Sequence, residues 1–175
     1  RRLILSCDRD HARVSELEDA ESAADATLPP FAQYLRAHLL GARLVAASLR
    51  DGDRMLALSL SRRDGDYTLL LQLLGPRSNL YLLDPSDRIE AFFRPLEETR
   101  RELVRGGAWQ APPSAPPRAG ADRFAETVDS DLLLEIERRI SAARSGGASE
   151  DRLRRIVTAL DRELRSLAKR ADALR

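Results

Sequence analysis

Between residues 43 and 84, apolar runs are cut at short intervals by polar breaks that contain glycine. Residues 43–50 and 54–61 are separated by Asp51-Gly52-Asp53, and Asp64-Gly65-Asp66 precedes the next run at Tyr67. Asp-Gly pairs between apolar runs supply the residues that tolerate tight hairpin turns. The stretch that follows reads YTLLLQLLGPRSNLYLLD, an apolar run, a Gly-Pro-Arg-Ser-Asn break and a second run. Such punctuation fits strand, turn, strand and breaks any helix. The middle of the chain is therefore an antiparallel meander, with function to be sought on its turns and edges. Leu56, Leu58 and Leu60 are expected to face inward, with Met55, Ala57 and Ser59 on the other side. Residues 69–71 are apolar on both faces, which makes 67–74 a central strand. Residues 80–83 and 89–93 continue the meander, and 3–7 and 12–17 add two short strands before it. The expected class is α+β: an antiparallel meander in a sandwich or partly open barrel with flanking helices, then helices and the start of a coiled coil.

A helix is expected over 30–40. Pro30 suits its first turn, Phe31, Leu35 and Leu39 form one apolar stripe, and Gly41 stands where a helix ends. Arg36 flanks the stripe. His38 lies in the last turn, where the dipole favours a cation; packing, capping and ligand contact are all open to it. A short helix is expected over 96–104. Pro112, Pro113, Pro116 and Pro117 exclude a sheet interior and favour an extended spacer. The expected organisation is a sheet domain over 1–113, a Pro-rich linker over 114–122, a helical module over 123–148 and a coiled-coil arm from 149 to 175. In the module, Leu132, Leu133, Ile136 and Ile140 give an amphipathic helix ending before Gly146-Gly147. In the arm, Leu153, Val157, Leu160, Leu164, Leu167, Ala171 and Leu174 recur at alternating spacings of four and three. The first residue is not Met and falls almost inside a strand-like run, and the heptad pattern is still running at Arg175. The chain is therefore expected to be a fragment of a longer protein.

Net charge is +1, from 29 basic and 28 acidic residues, and the only lysine is Lys169. That balance argues against a uniform polyanion-binding coat and leaves room for a local patch. One cysteine, Cys7, excludes an internal disulfide and a cysteine-rich zinc site. No HExxH, Walker A or GxGxxG pattern occurs, and no apolar run approaches membrane-spanning length. No metal, cofactor or membrane is expected, and the cytoplasm is the default location. Asp51 and Asp53 form a carboxylate pair suited to acid–base work, but Asp-Gly-Asp is also an ordinary hairpin turn. Arg77-Ser78-Asn79 offers a cation, a hydroxyl and an amide to a phosphate or sugar; the same residues also stabilise a turn by local bonds. With Arg54, Arg36, Arg43 and Arg94 this turn is expected to form an arginine patch at one end of the sheet.

The order of these segments resembles the N-terminal domain of the NFACT family, the RqcH, Rqc2 and NEMF ribosome quality-control proteins, formerly labelled fibronectin-binding protein A-like. The likeness runs through LILSCDRDHARVSEL, PPFAQYLRAHLLGARL, DGDRMLALSL and LLLQLLGPRSNLYLLD, over residues 3 to 113. Pro30, Phe31, Leu35, Arg36, His38, Leu39, Gly41 and Arg43 match the family's helix motif. Asp53 and Arg54 fall on its Asp-Arg pair, which the resemblance assigns to tRNA handling. Gly75, Ser78 and Asn79 match a third motif, while Pro76 and Arg77 depart from its usual basic residue and histidine. The resemblance implies a non-enzymatic factor that binds tRNA, alanyl-tRNA in bacteria, and the large ribosomal subunit. It would support C-terminal tailing of stalled nascent chains, its coiled coil contacting ribosomal proteins or an antiparallel partner helix. Arg54 and Arg77 would then hold RNA phosphates, and Asp53 would orient Arg54 or accept from a base edge or 2′-hydroxyl. A protein-interaction scaffold is the second reading, and a nucleic-acid-processing enzyme the third.

Overall fold

Short connections between successive strands produce a sheet whose strands follow chain order. The computed structural model describes residues 2–17, 28–50, 54–99, 101–113 and 124–146. Strands β1 (Arg2–Ser6) and β2 (Arg13–Leu17) form a separate antiparallel pair. Helix α1 (Pro30–Leu39) follows, and then the five-stranded meander: β3 (Arg43–Leu49), β4 (Met55–Arg62), β5 (Gly65–Gln72), β6 (Asn79–Leu83) and β7 (Ile89–Phe92). Their spatial order is β3-β4-β5-β6-β7, antiparallel throughout, with β5 central. The sheet is open, since β3 and β7 are its two ends in that order. The β4–β5 turn is Arg63-Asp64, because Gly65 already pairs with Arg62 inside the ladder.

Both faces of this sheet are covered. On one, Met55, Ala57, Leu70, Tyr81, Leu83 and Ile89 pack beneath Leu96, Leu103 and Trp109. On the other, Leu71, Leu80, Leu82 and Ala91 pack against Phe31 of α1 and Cys7 at the end of β1. The expectation that the Met55 and Ala57 side of β4 would be the outer one is corrected. Those two are buried; of the three leucines expected inward, Leu58 is buried and Leu56 and Leu60 are only half-buried. The covering segment is not the expected helix. Leu96–Thr99 is a single 3₁₀ turn, and 101–113 runs on without helix. Arg50 and Arg101 stand over the Trp109 ring at 4.8 and 5.6 Å, and Arg50 also pairs with Asp87 in the β6–β7 turn.

Helix α1 begins at Pro30 and ends where Gly41 takes φ 81°, with Ala42 N–H donating to the Leu39 carbonyl at 2.8 Å. That left-handed conformation at C′ is the one glycine adopts without steric cost. Strand β3 is an edge whose residues are all exposed, Leu44, Val45 and Leu49 by 53%, 60% and 69%. A bulge between Leu44 and Ala46 interrupts its pairing, a common way of blunting an edge.

The chain divides into two compact units, Arg1–Glu126 and Thr127–Arg175. In the second, residues 132–146 are helical, so the helix reaches Gly146 rather than stopping before it. Glu135 pairs with Arg139 at 2.7 Å on its surface. The expected linker at 114–122 and coiled-coil arm at 149–175 lie outside the described residues. Among the described residues no helix is long and apolar enough to cross a membrane.

Candidate nucleic-acid interface

One end of the sheet carries the start of β4, the end of β5, the start of β6 and the end of β7. The Arg54 carbonyl accepts from Leu73 N–H at 2.8 Å. This fixes Arg54 beside the strand that leads into the Gly75–Arg77 turn. Gly75 takes φ 59° there, and Ser78 N–H closes the turn on its carbonyl at 2.9 Å. Arg54 and Arg77 are both exposed and stand at this same end. Asp53, assigned to orient Arg54, lies outside the described residues.

Of the two roles open to Ser78 and Asn79, contact with a ligand and stabilisation of the turn, the bonds they make are those of the second. Both are buried. Ser78 Oγ donates to the Gly75 carbonyl at 2.7 Å and accepts from Leu74 N–H at 3.0 Å. Asn79 Oδ1 accepts from Leu80 N–H at 2.9 Å and from Arg94 N–H at 2.8 Å, while its Nδ2 donates to the Arg94 carbonyl at 3.1 Å. These side chains shape the loop that presents Arg77, because a buried amide without partners costs more than the bonds it forms return.

Arg94 is likewise a clamp. Its guanidinium donates to the Cys7 carbonyl and, at 3.5 Å, to the Pro76 carbonyl. It thereby joins two loops of equal length: Ser6↔Arg13 and Gln72↔Asn79 each close a six-residue connection. Cys7 sits at the junction. Burial raises its thiol pKa from 9.0 to about 11, against a smaller opposite pull from Arg94. The thiol is therefore neutral at pH 8. Native protein is expected to resist iodoacetamide at that pH, becoming reactive on unfolding; labelling within minutes in the native state would contradict this.

The remaining expected residues are not at this end. His38 stacks on Tyr34 at 3.9 Å, and its Nδ1 lies 2.9 Å from the Tyr34 carbonyl, so it is occupied by packing within α1. The His38 carbonyl accepts from Arg62, which places the C-terminal end of α1 by the far ends of β4 and β3. Arg36 is exposed on the same helix. Arg43 pairs with Ser61, seven strand residues from Arg54 and hence roughly 23 Å away at about 3.3 Å per residue. The single patch thus reduces to Arg54 and Arg77, with Arg94 behind them. Among the described residues no group of three or more His, Cys, Asp or Glu side chains gathers as metal ligands.

Comparison with known proteins adds a family match. The model for NFACT N-terminal and middle domains matches residues 1–170. The Rqc2 homolog RqcH of Streptococcus suis is 30% identical over 144 residues, covering 77% of this chain and 25% of that protein. The archaeal Rqc2 homolog aRqcH of Methanocaldococcus jannaschii is 33% identical over 90 residues, covering 51% of this chain and 13% of that protein. Among solved structures, the N-terminal part of the fibronectin/fibrinogen-binding protein of S. suis superposes with a TM-score of 0.56 at 26% identity, covering 77% of this chain and 51% of that one. The N-terminal domain of the fibronectin-binding protein PavA of Streptococcus pneumoniae gives 0.55 at 25% identity, covering 78% and 52%. The chain therefore spans a quarter or less of these two curated relatives and about half of the two solved chains.

Proposed function

The chain belongs to the NFACT family, and from that premise we propose that it is the RNA-gripping part of a ribosome-associated quality-control factor. It holds tRNA, alanyl-tRNA in a bacterial setting, beside the large ribosomal subunit and supports C-terminal tailing of stalled chains; the ribosome makes the bonds. The observation that carries this reading is the exposed Arg54 and Arg77 at one end of the sheet, Arg54 tied to Leu73 through its backbone and Arg77 on a loop held by Ser78, Asn79 and Arg94. A guanidinium on a fixed loop grips phosphate with little loss of side-chain freedom. The names of the RqcH relatives agree with it.

Sequencing the RNA that co-purifies with the full-length protein tests the reading. One tRNA species together with large-subunit rRNA is the expected recovery. RNA in proportion to its cellular abundance overturns it. A second reading, a protein-interaction scaffold, is favoured by the apolar, exposed β3 edge. It predicts no enriched RNA in the same experiment.

A further inference from the structure

Arg43 does not join Arg54, but it has a site of its own. Antiparallel register sets Arg43 beside Ser61 and Ser61 beside Asp66, with Ser59 beside Thr68 in the row above. By strand alternation Ser59 and Ser61 share the face of Met55 and Ala57, and Thr68 and Asp66 share that of Leu70. Leu96, Leu103 and Trp109 cover the apolar part of that face. Past them it turns from large apolar side chains to small hydroxyls, flanked by one cation and one carboxylate. The result is an open cleft of about 370 Å³, lined by Arg43, Ser59, Ser61, Asp66 and Thr68 together with Val45, Leu60, Tyr67 and Pro85. Among the described residues neither Arg43 nor Asp66 has an ion-pair partner, whereas the neighbouring Arg62 is paired with Asp64 at 3.0 Å.

We propose that this cleft takes one ribose-phosphate unit of RNA, the phosphate on Arg43 and the sugar hydroxyls on Asp66 and the Ser and Thr hydroxyls. The volume lies at the lower end of the usual range for small-ligand sites, of order 300–1,000 Å³. An apolar ligand would cover the hydroxyls without giving them partners. A ligand bearing several phosphates would meet the Asp66 carboxylate. A single phosphate beside a vicinal diol satisfies every group, and the 2′-hydroxyl gives Asp66 a partner that DNA lacks. This inference rests on the RNA reading above, and it adds a second grip roughly 23 Å along the sheet from the first.

The test is a titration of the isotopically labelled chain with uridine 5′-monophosphate, followed by backbone amide shifts. Saturable shifts at Ser59, Ser61, Asp66 and Thr68 are expected, with at least fivefold weaker binding of the 2′-deoxy nucleotide. Arg43→Ala, an exposed change that leaves the core intact, is expected to weaken binding at least fivefold. Ser61→Leu, which fills the cleft, is expected to abolish it. No shifts, shifts elsewhere, or equal affinity for the deoxynucleotide or inorganic phosphate would overturn the proposal. Measuring tRNA binding in parallel separates the two readings. tRNA held through Arg54 and Arg77 with a silent cleft removes this inference alone. Uridine monophosphate in the cleft without tRNA binding removes the quality-control reading and leaves a ribonucleotide site.

Discussion

Replacing Arg54 and Arg77 together with alanine is expected to weaken tRNA binding roughly thirtyfold and to leave the melting temperature unchanged. Each exposed guanidinium is assigned about 1 kcal/mol of net phosphate contact, below the figure for buried charge-assisted bonds, and about 2 kcal/mol in total corresponds to that ratio. The salt dependence gives a sharper readout. Two lost phosphate contacts lower the slope of log affinity against log salt by about 1.5. A variant whose affinity falls at unchanged slope has lost something other than phosphate contact. Arg36→Ala is the internal control: Arg36 is exposed on α1, two residues before His38, whose carbonyl accepts from Arg62 at the end of β4 opposite Arg54, and its loss is expected to change affinity less than twofold. In the full-length protein, Asp53→Ala with Arg54→Ala is expected to stop tRNA-dependent tailing while the protein still folds. Unchanged tailing removes the role given to that pair.

The sheet was legible because its determinants are local. Asp-Gly breaks and the Gly-Pro-Arg-Ser-Asn break mark turns within a few residues of the strands they join, and β3 to β7 follow them in order. Helix α1 was legible for the same reason, with Pro30 at one end and Gly41 at the other. What covers the sheet was not. Leu96, Leu103 and Trp109 have no periodicity, and they reach the Met55 side of β4 only through the fold. Small or flexible residues such as Ala57 and Met55 look like an outer face until something is laid over them. At the site, Arg94 reads as one more cation in a basic patch. Its partners, the Cys7 and Pro76 carbonyls, are distant in sequence, so only the structure separates a clamp from a binding residue. The distance between Arg43 and Arg54 is a different case. Antiparallel pairing of β3 with β4 already puts the first residue of one strand beside the last residues of the other. The separation of the two cations follows from the hairpin that the sequence itself marks.

Asn79→Ala is expected to destabilise the Arg1–Glu126 unit by about 3 kcal/mol, the largest effect of any polar substitution at this end. Asn79 is 1% exposed, and its amide bonds both the N–H and the carbonyl of Arg94. With Phe93 N–H donating to the Leu80 carbonyl at 2.9 Å, this pair of bonds extends the β6–β7 ladder beyond the last strand residue. Alanine removes the amide and leaves three backbone groups, the N–H and carbonyl of Arg94 and the N–H of Leu80, to find other partners, at about 1–3 kcal/mol for each group left unsatisfied. Ser78→Ala loses two local bonds and is expected to cost less, about 1–2 kcal/mol. Urea denaturation reads both, as a lower midpoint at an unchanged slope. The same variants decide between shaping the loop and touching RNA. If Ser78 and Asn79 contact RNA themselves, Ser78→Ala lowers tRNA affinity at little cost in stability. If they hold the loop, stability falls, and below the melting temperature the folded Ser78→Ala protein keeps tRNA affinity within about twofold, with the salt slope unmoved because no phosphate contact is lost. The buried geometry of both side chains supports the second outcome, and a Ser78→Ala protein of native stability with weakened RNA binding would reverse it.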